Sequence, residues 1–381
     1  MRKLLALVLC AAELLLFAGR GGLRANYREV EELLVIQTMG LDESGSGVKL
    51  SLAAAGDGED KVARMEADGI SISAAMERLR SSSYEEELFC PHIGRLLLGE
   101  KLCENGIENA LAYVCRSPEL RLDMPLFVVR GGEAADAVMT VGSGGRGICD
   151  VMRIIEQDLK RQGEAGLTTA SDVLRDTARC GSSLICALEL GEASETYSAP
   201  GEEDAESTGR SAAPFGYAIL REGRLCRYLT ADQAIAVGLL KNTPRRAAVE
   251  LLDRHGEAAV LEINGGGCRV RPVWEGETLR GIEIACSARA SLLERGGHGA
   301  LDEEDLDYLT ARLESKLAGF LSAALQASKE LKADYLCLAE ILERADPAAW
   351  RSLDRDFIDL LPELELKITV SAKLNEMNDM K

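Results

Sequence analysis

Residues 364–374 read Leu-Glu-Leu-Lys-Ile-Thr-Val-Ser-Ala-Lys-Leu. Leu364, Leu366, Ile368, Val370, Ala372 and Leu374 alternate with Glu365, Lys367, Thr369, Ser371 and Lys373. This alternation puts every apolar side chain on one face, so the stretch is a half-buried strand. Such a strand needs a covering layer. Upstream, Leu306, Leu309, Leu313, Leu317, Phe320, Ala324 and Leu325 recur at helical spacing and predict one long amphipathic helix over 302–332. Helix against strand face defines an α+β domain: a long amphipathic helix lying on a mostly antiparallel sheet.

Working outward, residues 279–292 predict a long strand with Ile282, Ile284, Cys286, Ala288 and Ala290 on one side. Val260–Ile263 and Cys268–Val273 flank Asn264-Gly265, which predicts a hairpin turn. Phe215–Leu220 and Arg224–Leu229 flank Arg221-Glu222-Gly223 as another hairpin, and Thr230 with Gln233 forms a capping box opening a helix to about Leu240. Residues 336–342 read as helix, and Asp346 before Pro347 marks a further helix start.

The first half mixes both element types. Strands are predicted at 33–41, 48–52, 89–98 and 126–130, with turn chemistry at 42–47. Helices are predicted at 71–81, at 100–114 with a bend near Gly106, and at 132–139. Residues 190–214, LGEASETYSAPGEEDAESTGRSAAP, have the composition of a linker. The expected organisation is a signal-like or anchor segment at 1–20, an N-terminal region at 24–190, an acidic linker at 191–213, a C-terminal domain at 214–375 and a tail at 376–381. The fold class is α+β, multi-domain, with mixed sheets and packed helices.

Met1-Arg2-Lys3 precedes an apolar run, LLALVLCAAELLLFAG, over 4–19, the plan of a secretory signal or anchor. It falls short of a span of about 20 residues, and Glu13 interrupts it. Phe17-Ala18-Gly19 would suit a lipidation box, but Arg20 stands where its Cys would be, so no lipidation residue is assigned.

Among the 381 residues, 63 Asp and Glu against 44 Lys and Arg give a net charge of −19, which repels nucleic-acid phosphates. No Ser-His-Asp, paired-carboxylate or metal-ligand pattern rises from the three His and the acids, so no catalytic, cofactor-binding or metal residue is assigned. Gly142, Gly144 and Gly147 match the letters of a dinucleotide fingerprint, but they follow a short helix rather than a strand and read as a loop. Cys90 and His92 would share a face of the 89–98 strand, yet nothing nearby activates a thiol, and a structural role is expected. The eleven Cys contain no CxxC and are expected to be mostly buried free thiols. Arg116, Glu119 and Arg121 read as an ion-pair cluster, a partner surface or solvated surface. Trp350 reads as a core anchor rather than a ligand platform.

Several pieces form an ordered set: Tyr27-Arg28-Glu29-Val30-Glu31-Glu32-Leu33 with Gly40 and Asp42; Pro91-His92-Ile93 to Gly99-Glu100; Gly106; and Arg116-Ser117-Pro118-Glu119-Leu120-Arg121. The hairpin and helix from Phe215 to Leu240 follow. Lys332-Ala333-Asp334-Tyr335, Pro347 to Trp350, and Leu361-Pro362-Glu363-Leu364 before the last strand complete it. This set resembles the Ger(x)C family of spore germination proteins, the C subunits of nutrient germinant receptors, over residues 24–375. The resemblance implies a non-enzymatic extracytoplasmic subunit without cofactor, on the inner spore membrane. Its partners would be a multi-spanning A-type and a transporter-like B-type subunit, and its role germinant sensing or signal relay. The chain departs from the family in the lipobox Cys, in a Trp near the mature N-terminus and in a Gly after the last strand. The residues leave two other readings: a generic extracytoplasmic ligand-binding protein without a germination role, and a cysteine-dependent hydrolase.

Overall fold

Runs such as Leu96-Leu97-Leu98 and Leu126-Phe127-Val128-Val129 are apolar at consecutive positions, which suits strands covered on both faces. The computed structural model describes residues 33–375 apart from 46, 55–62, 84–86, 141–146, 162–164, 193–209, 245, 297–301 and 354. The signal-like segment with Arg20, Tyr27, most of the glycine-rich stretch and of the linker, and the tail lie outside the described residues.

In chain order the first body comprises β1 (Leu33–Ser44), β2 (Gly47–Ala54), β3 (Arg64–Gly69), α1 (Ile72–Ser82), β4 (Glu87–Phe89), β5 (Arg95–Gly99), α2 (Glu100–Asn105) and α3 (Glu108–Arg116). It continues with β6 (Pro125–Arg130), α4 (Ala134–Val138), α5 (Ile148–Arg161), β7 (Thr168–Thr169), α6 (Ala170–Cys180), β8 (Ser182–Glu192), β9 (Arg210–Arg221) and β10 (Arg224–Thr230). The main strand order is β10-β9-β8-β6-β5-β1-β2-β3. The centre, β8-β6-β5-β1, is parallel, and antiparallel hairpins extend both edges. Leu96, Leu98, Leu126 and Val128 pack on one face with Leu79, Val114 and Val173 from α1, α3 and α6. Leu97, Phe127 and Val129 face the other way, toward Val138 and Met152.

The second body comprises α7 (Ala231–Leu240), β11 (Ala247–Leu252), β12 (Ala258–Glu275), β13 (Thr278–Arg295), α8 (Glu303–Leu331), α9 (Leu338–Ala345), α10 (Pro347–Trp350), α11 (Phe357–Leu360) and β14 (Glu365–Asn375). Its sheet runs β11-β12-β13-β14, with only the last pair parallel. The expected long helix is α8, opened by a capping box at Asp302 and buried along Leu309, Leu313, Leu317, Leu321 and Leu325. Strand β14 alternates half-buried and exposed positions throughout, as its sequence requires. This α+β architecture with two sheets matches the expected fold class.

Two expectations need correction. Phe89–Leu98 is not one strand: β4 ends at Phe89, Cys90–His92 form a 3-10 turn around Pro91, and β5 begins at Arg95. Proline lacks the N–H a central ladder needs. Asn264-Gly265 is not a hairpin turn but a bulge inside β12, whose register slips between Ile263 and Gly265. The hairpin turn lies instead around Gly276, with φ +62°. Past the bulge, Asn242 stands in for a missing neighbour strand, accepting from the Cys268 N–H at 3.0 Å and donating to its carbonyl at 3.2 Å. Strands β9 and β10 follow the linker in sequence and extend the first sheet, β9 pairing with β8 and β10 with β9. The two bodies also share an apolar core, with Phe127, Leu188 and Ile219 joined to Leu261, Ile284 and Leu317.

Gly216 sits where β9 crosses between β8 and β10, at φ +137°. A Cβ there would fall 2.1 Å from the Leu229 carbonyl oxygen. Gly216→Ala is therefore expected to cost about 1–3 kcal/mol in urea denaturation. Gly191→Ala, with no heavy atom within 4 Å, is the comparison and should be near neutral. Equal losses in the two variants would refute the steric reading.

Candidate partner surface and the joint between the sheets

The Cys90/His92 pair dissolves in the folded chain. Cys90 is buried and His92 exposed, with the imidazole against the Phe89 ring at a centroid distance of 5.4 Å. Burial pushes the Cys90 thiol up, against a smaller opposing hydrogen bond from Arg80. A thiol held protonated has no activated nucleophile to offer.

Arg116, Glu119 and Arg121 also part company. Glu119 pairs with Arg80 on α1 at 2.7 Å, while Arg121 pairs with Asp123. What the structure builds from this region is a groove of about 800 Å³ between the β2 end, α1 and α3. Arg80, Arg116 and Glu119 line it together with Ile70, Leu102 and Tyr113. Ile70 is 85% exposed. An apolar wall beside guanidinium groups suits a partner that offers an apolar side chain next to a carboxylate.

A second feature is the joint between the bodies. Asp176 on α6 meets Lys241 after α7 at 3.5 Å and Arg175 at 3.0 Å. Arg179 pairs with Glu340 of α9 at 2.9 Å, and Arg227 of β10 with Glu330 of α8 at 2.8 Å. The cleft beside them holds about 250 Å³ and is lined by Asp172, Arg175, Lys241, Tyr217 and Ile263. The distances are those of ordinary ion pairs, each worth about 0–1 kcal/mol where exposed, and they lie beside the apolar core that the two bodies share.

Two buried carboxylates cap helices whose N-terminal N–H groups have no helical partner. Asp42 accepts from Ala134 and Ala135 at 2.6 and 2.8 Å, opening α4. Its tip also explains Gly99, where a Cβ would lie 1.9 Å from the Asp42 carboxylate. Asp334 accepts from Leu338 and Ala339 at 2.7 and 2.9 Å, opening α9. The sequence reading placed Asp42 in turn chemistry and quoted Asp334 only as part of a motif. Neither role is visible without the distant helix that each serves.

Burial raises the Asp42 carboxyl to about 6 and Asp334 to about 7, outweighing both sets of backbone hydrogen bonds. Each folded-state value lies above the ordinary 3.8. The folded chain therefore holds a proton that the unfolded chain has lost, and this contribution to stability declines as pH rises from about 4 to about 7. Asp334→Asn removes that dependence. Its unfolding free energy, from urea denaturation, should fall with pH less steeply than the wild type's over this window, by up to about 1.4 kcal/mol per pH unit. Parallel pH profiles would show that Asp334 does not titrate there.

Trp350 lies partly buried against the shared core and packs on Phe357 at 5.6 Å, the anchor role expected of it. Among the described residues no group of His, Cys, Asp and Glu could hold a metal ion. No described helix is long and apolar enough to cross a membrane.

The chain is a two-sheet α+β protein with a groove on its surface and ion pairs across the joint between its sheets. Two family models cover most of it: "Spore germination protein N-terminal domain" over residues 26–189 and "Spore germination B3/GerAC like, C-terminal" over 215–378. The chain belongs to this GerAC-like family of spore germination proteins, of which the germinant-receptor C subunits are members. A solved structure titled "Crystal Structure of the GerBC protein" shares the fold, with a TM-score of 0.54 and 19% identity over 88% of this chain and 96% of that one. A search of curated proteins matched none.

Proposed function

We propose that this chain is a non-enzymatic, extracytoplasmic subunit of a spore nutrient germinant receptor. It acts in germinant sensing or signal relay at the inner spore membrane, beside a multi-spanning A-type and a transporter-like B-type subunit. The match of both halves to the two germination-protein models carries this reading. The groove around Ile70 and Arg116 supplies a surface of the right character for a subunit contact.

Deletion of the gene tests it. Spores lacking the chain should lose the response to one class of nutrient and keep the response to a trigger that bypasses receptors. The A- and B-type subunits should co-purify with the tagged wild-type chain, and less well with Ile70→Asp/Arg116→Glu. Unchanged nutrient germination would sink the proposal and favour a generic ligand-binding protein. Fractionation with N-terminal mass spectrometry separates the modes of attachment. A membrane-bound chain beginning at Met1 has an uncleaved anchor, and a cleaved, unlipidated chain is held only by partners.

A further inference from the structure

The whole chain carries a net charge of −19, yet the fold gathers cations on the solvent face of the second sheet. Along β13, β14 and the part of β12 past its bulge, exposed positions alternate with buried ones. The register aligns Arg271 with Glu283 and Lys367, Arg269 with Ala285 and Thr369, and Gly265 with Arg289 and Lys373. Gly267, Ser287 and Ser371 form the row between. A Cβ on Gly265 would fall 2.4 Å from the Arg289 guanidinium, which lies across β12 at that point.

The acids of this face are few. Glu283 is held by Lys367 at 2.8 Å, and Glu365 stands at one end beside Gly281. Glu250 and Glu262, on β11 and on β12 before the bulge, mark the other limit. Arg269, Arg289 and Lys373 have no acidic partner among the described residues. Salt screens charges farther apart than about 8 Å at physiological strength, so an approaching surface meets the sign of this face and not that of the whole chain. The cations come from three separated segments, and no run of the sequence shows them together.

The face spans about 20 Å along the strands and about 10 Å across them. Gly, Ser, Ala and Thr fill its middle, so it is shallow, and Val273 at one end is its only large exposed apolar side chain. A stable protein contact is built around an apolar, shape-matched centre, which this face lacks. Anionic charge spread over a plane needs no such centre. We propose that the solvent face of the second sheet docks the chain on an anionic lipid surface, with Arg269, Arg271, Arg289, Lys367 and Lys373 among the phosphate headgroups. The charge of the face is independent of the receptor reading, and vesicle binding and nutrient response are measured separately.

The test is sedimentation of the full chain with vesicles of phosphatidylcholine alone or with about one-third phosphatidylglycerol, at about 0.15 M salt. The apolar run at 4–19 can enter either bilayer, so the readout is the ratio of the two partition coefficients. The wild type should favour the anionic vesicles by about tenfold or more. Arg269→Gln/Arg289→Gln/Lys373→Gln should bring the ratio close to one. Lys101→Gln/Arg224→Gln/Arg312→Gln removes the same charge from exposed positions elsewhere and should keep the preference. Salt at about 1 M, where screening acts within about 3 Å, should abolish it in the wild type, a readout that needs no variant to fold. Equal loss in the two triple variants would overturn the proposal, because net charge and not this face would then set binding. Equal binding of the wild type to both bilayers would also overturn it, and loss of the A- and B-type subunits from the tagged face variant would then give the face to a protein.

Discussion

Tyr335→Ala is expected to lower stability by about 3–5 kcal/mol, because it empties one of the largest fully buried side chains from the shared core. Tyr335 follows the end of α8 and turns its ring inward beside Ala333, Leu336 and Leu338. Its hydroxyl donates to the Ala324 carbonyl of α8. Tyr335→Phe keeps the ring and loses only that bond, so it should cost about 1 kcal/mol. Urea denaturation of both variants separates packing from hydrogen bonding. Equal losses would mean that the hydroxyl, and not the volume of the ring, holds the turn.

Arg95→Met should be comparably severe. Arg95 projects from β5 under α5, where its Nε lies 2.6 Å from one Glu156 oxygen and a second guanidinium nitrogen 3.4 Å from the other. Its remaining nitrogen donates to the Thr38 hydroxyl at 3.3 Å and the Cys149 carbonyl at 3.2 Å. The arginine and glutamate side chains are only 9% and 16% exposed. Removing the cation strands a carboxylate away from water, at a cost of about 3–5 kcal/mol. Arg95→Met/Glu156→Leu removes both charges and should recover most of the loss. A double variant as unstable as the single one would show that the ion pair was not the source.

Neither residue stood out in the sequence. Tyr335 lay inside the Lys332–Tyr335 motif that carried the family resemblance, but its burial comes from α8, whose carbonyl it meets. Arg95 interrupts no pattern, and no predicted element or role falls on its partner Glu156. Polar residues buried by remote segments leave no periodic signal. The same holds for Asp42 and Asp334, where the carboxylate and the helix it caps are set by how loops fold back.

Local chemistry did announce itself where neighbours in sequence are neighbours in space. The capping box at Thr230 and Gln233 forms as its spacing requires. The bend between α2 and α3 falls at Gly106, with φ +122°. The misreading of Asn264-Gly265 shows the limit of such signals. That dipeptide favours a tight turn, but pairing along both sides of the bulge keeps β12 running to Glu275.

Residue periodicity by itself determined the α+β class, the long helix on the C-terminal sheet and the half-buried last strand, because each follows from a repeat of apolar side chains within one segment. The ordered motifs determined the family. Only the tertiary structure decided that the strands after the linker join the first sheet and that Arg80 takes Glu119 from the expected cluster. Strand partners and side-chain contacts of this kind are chosen by what distant segments must bury together, and no local spacing encodes that choice.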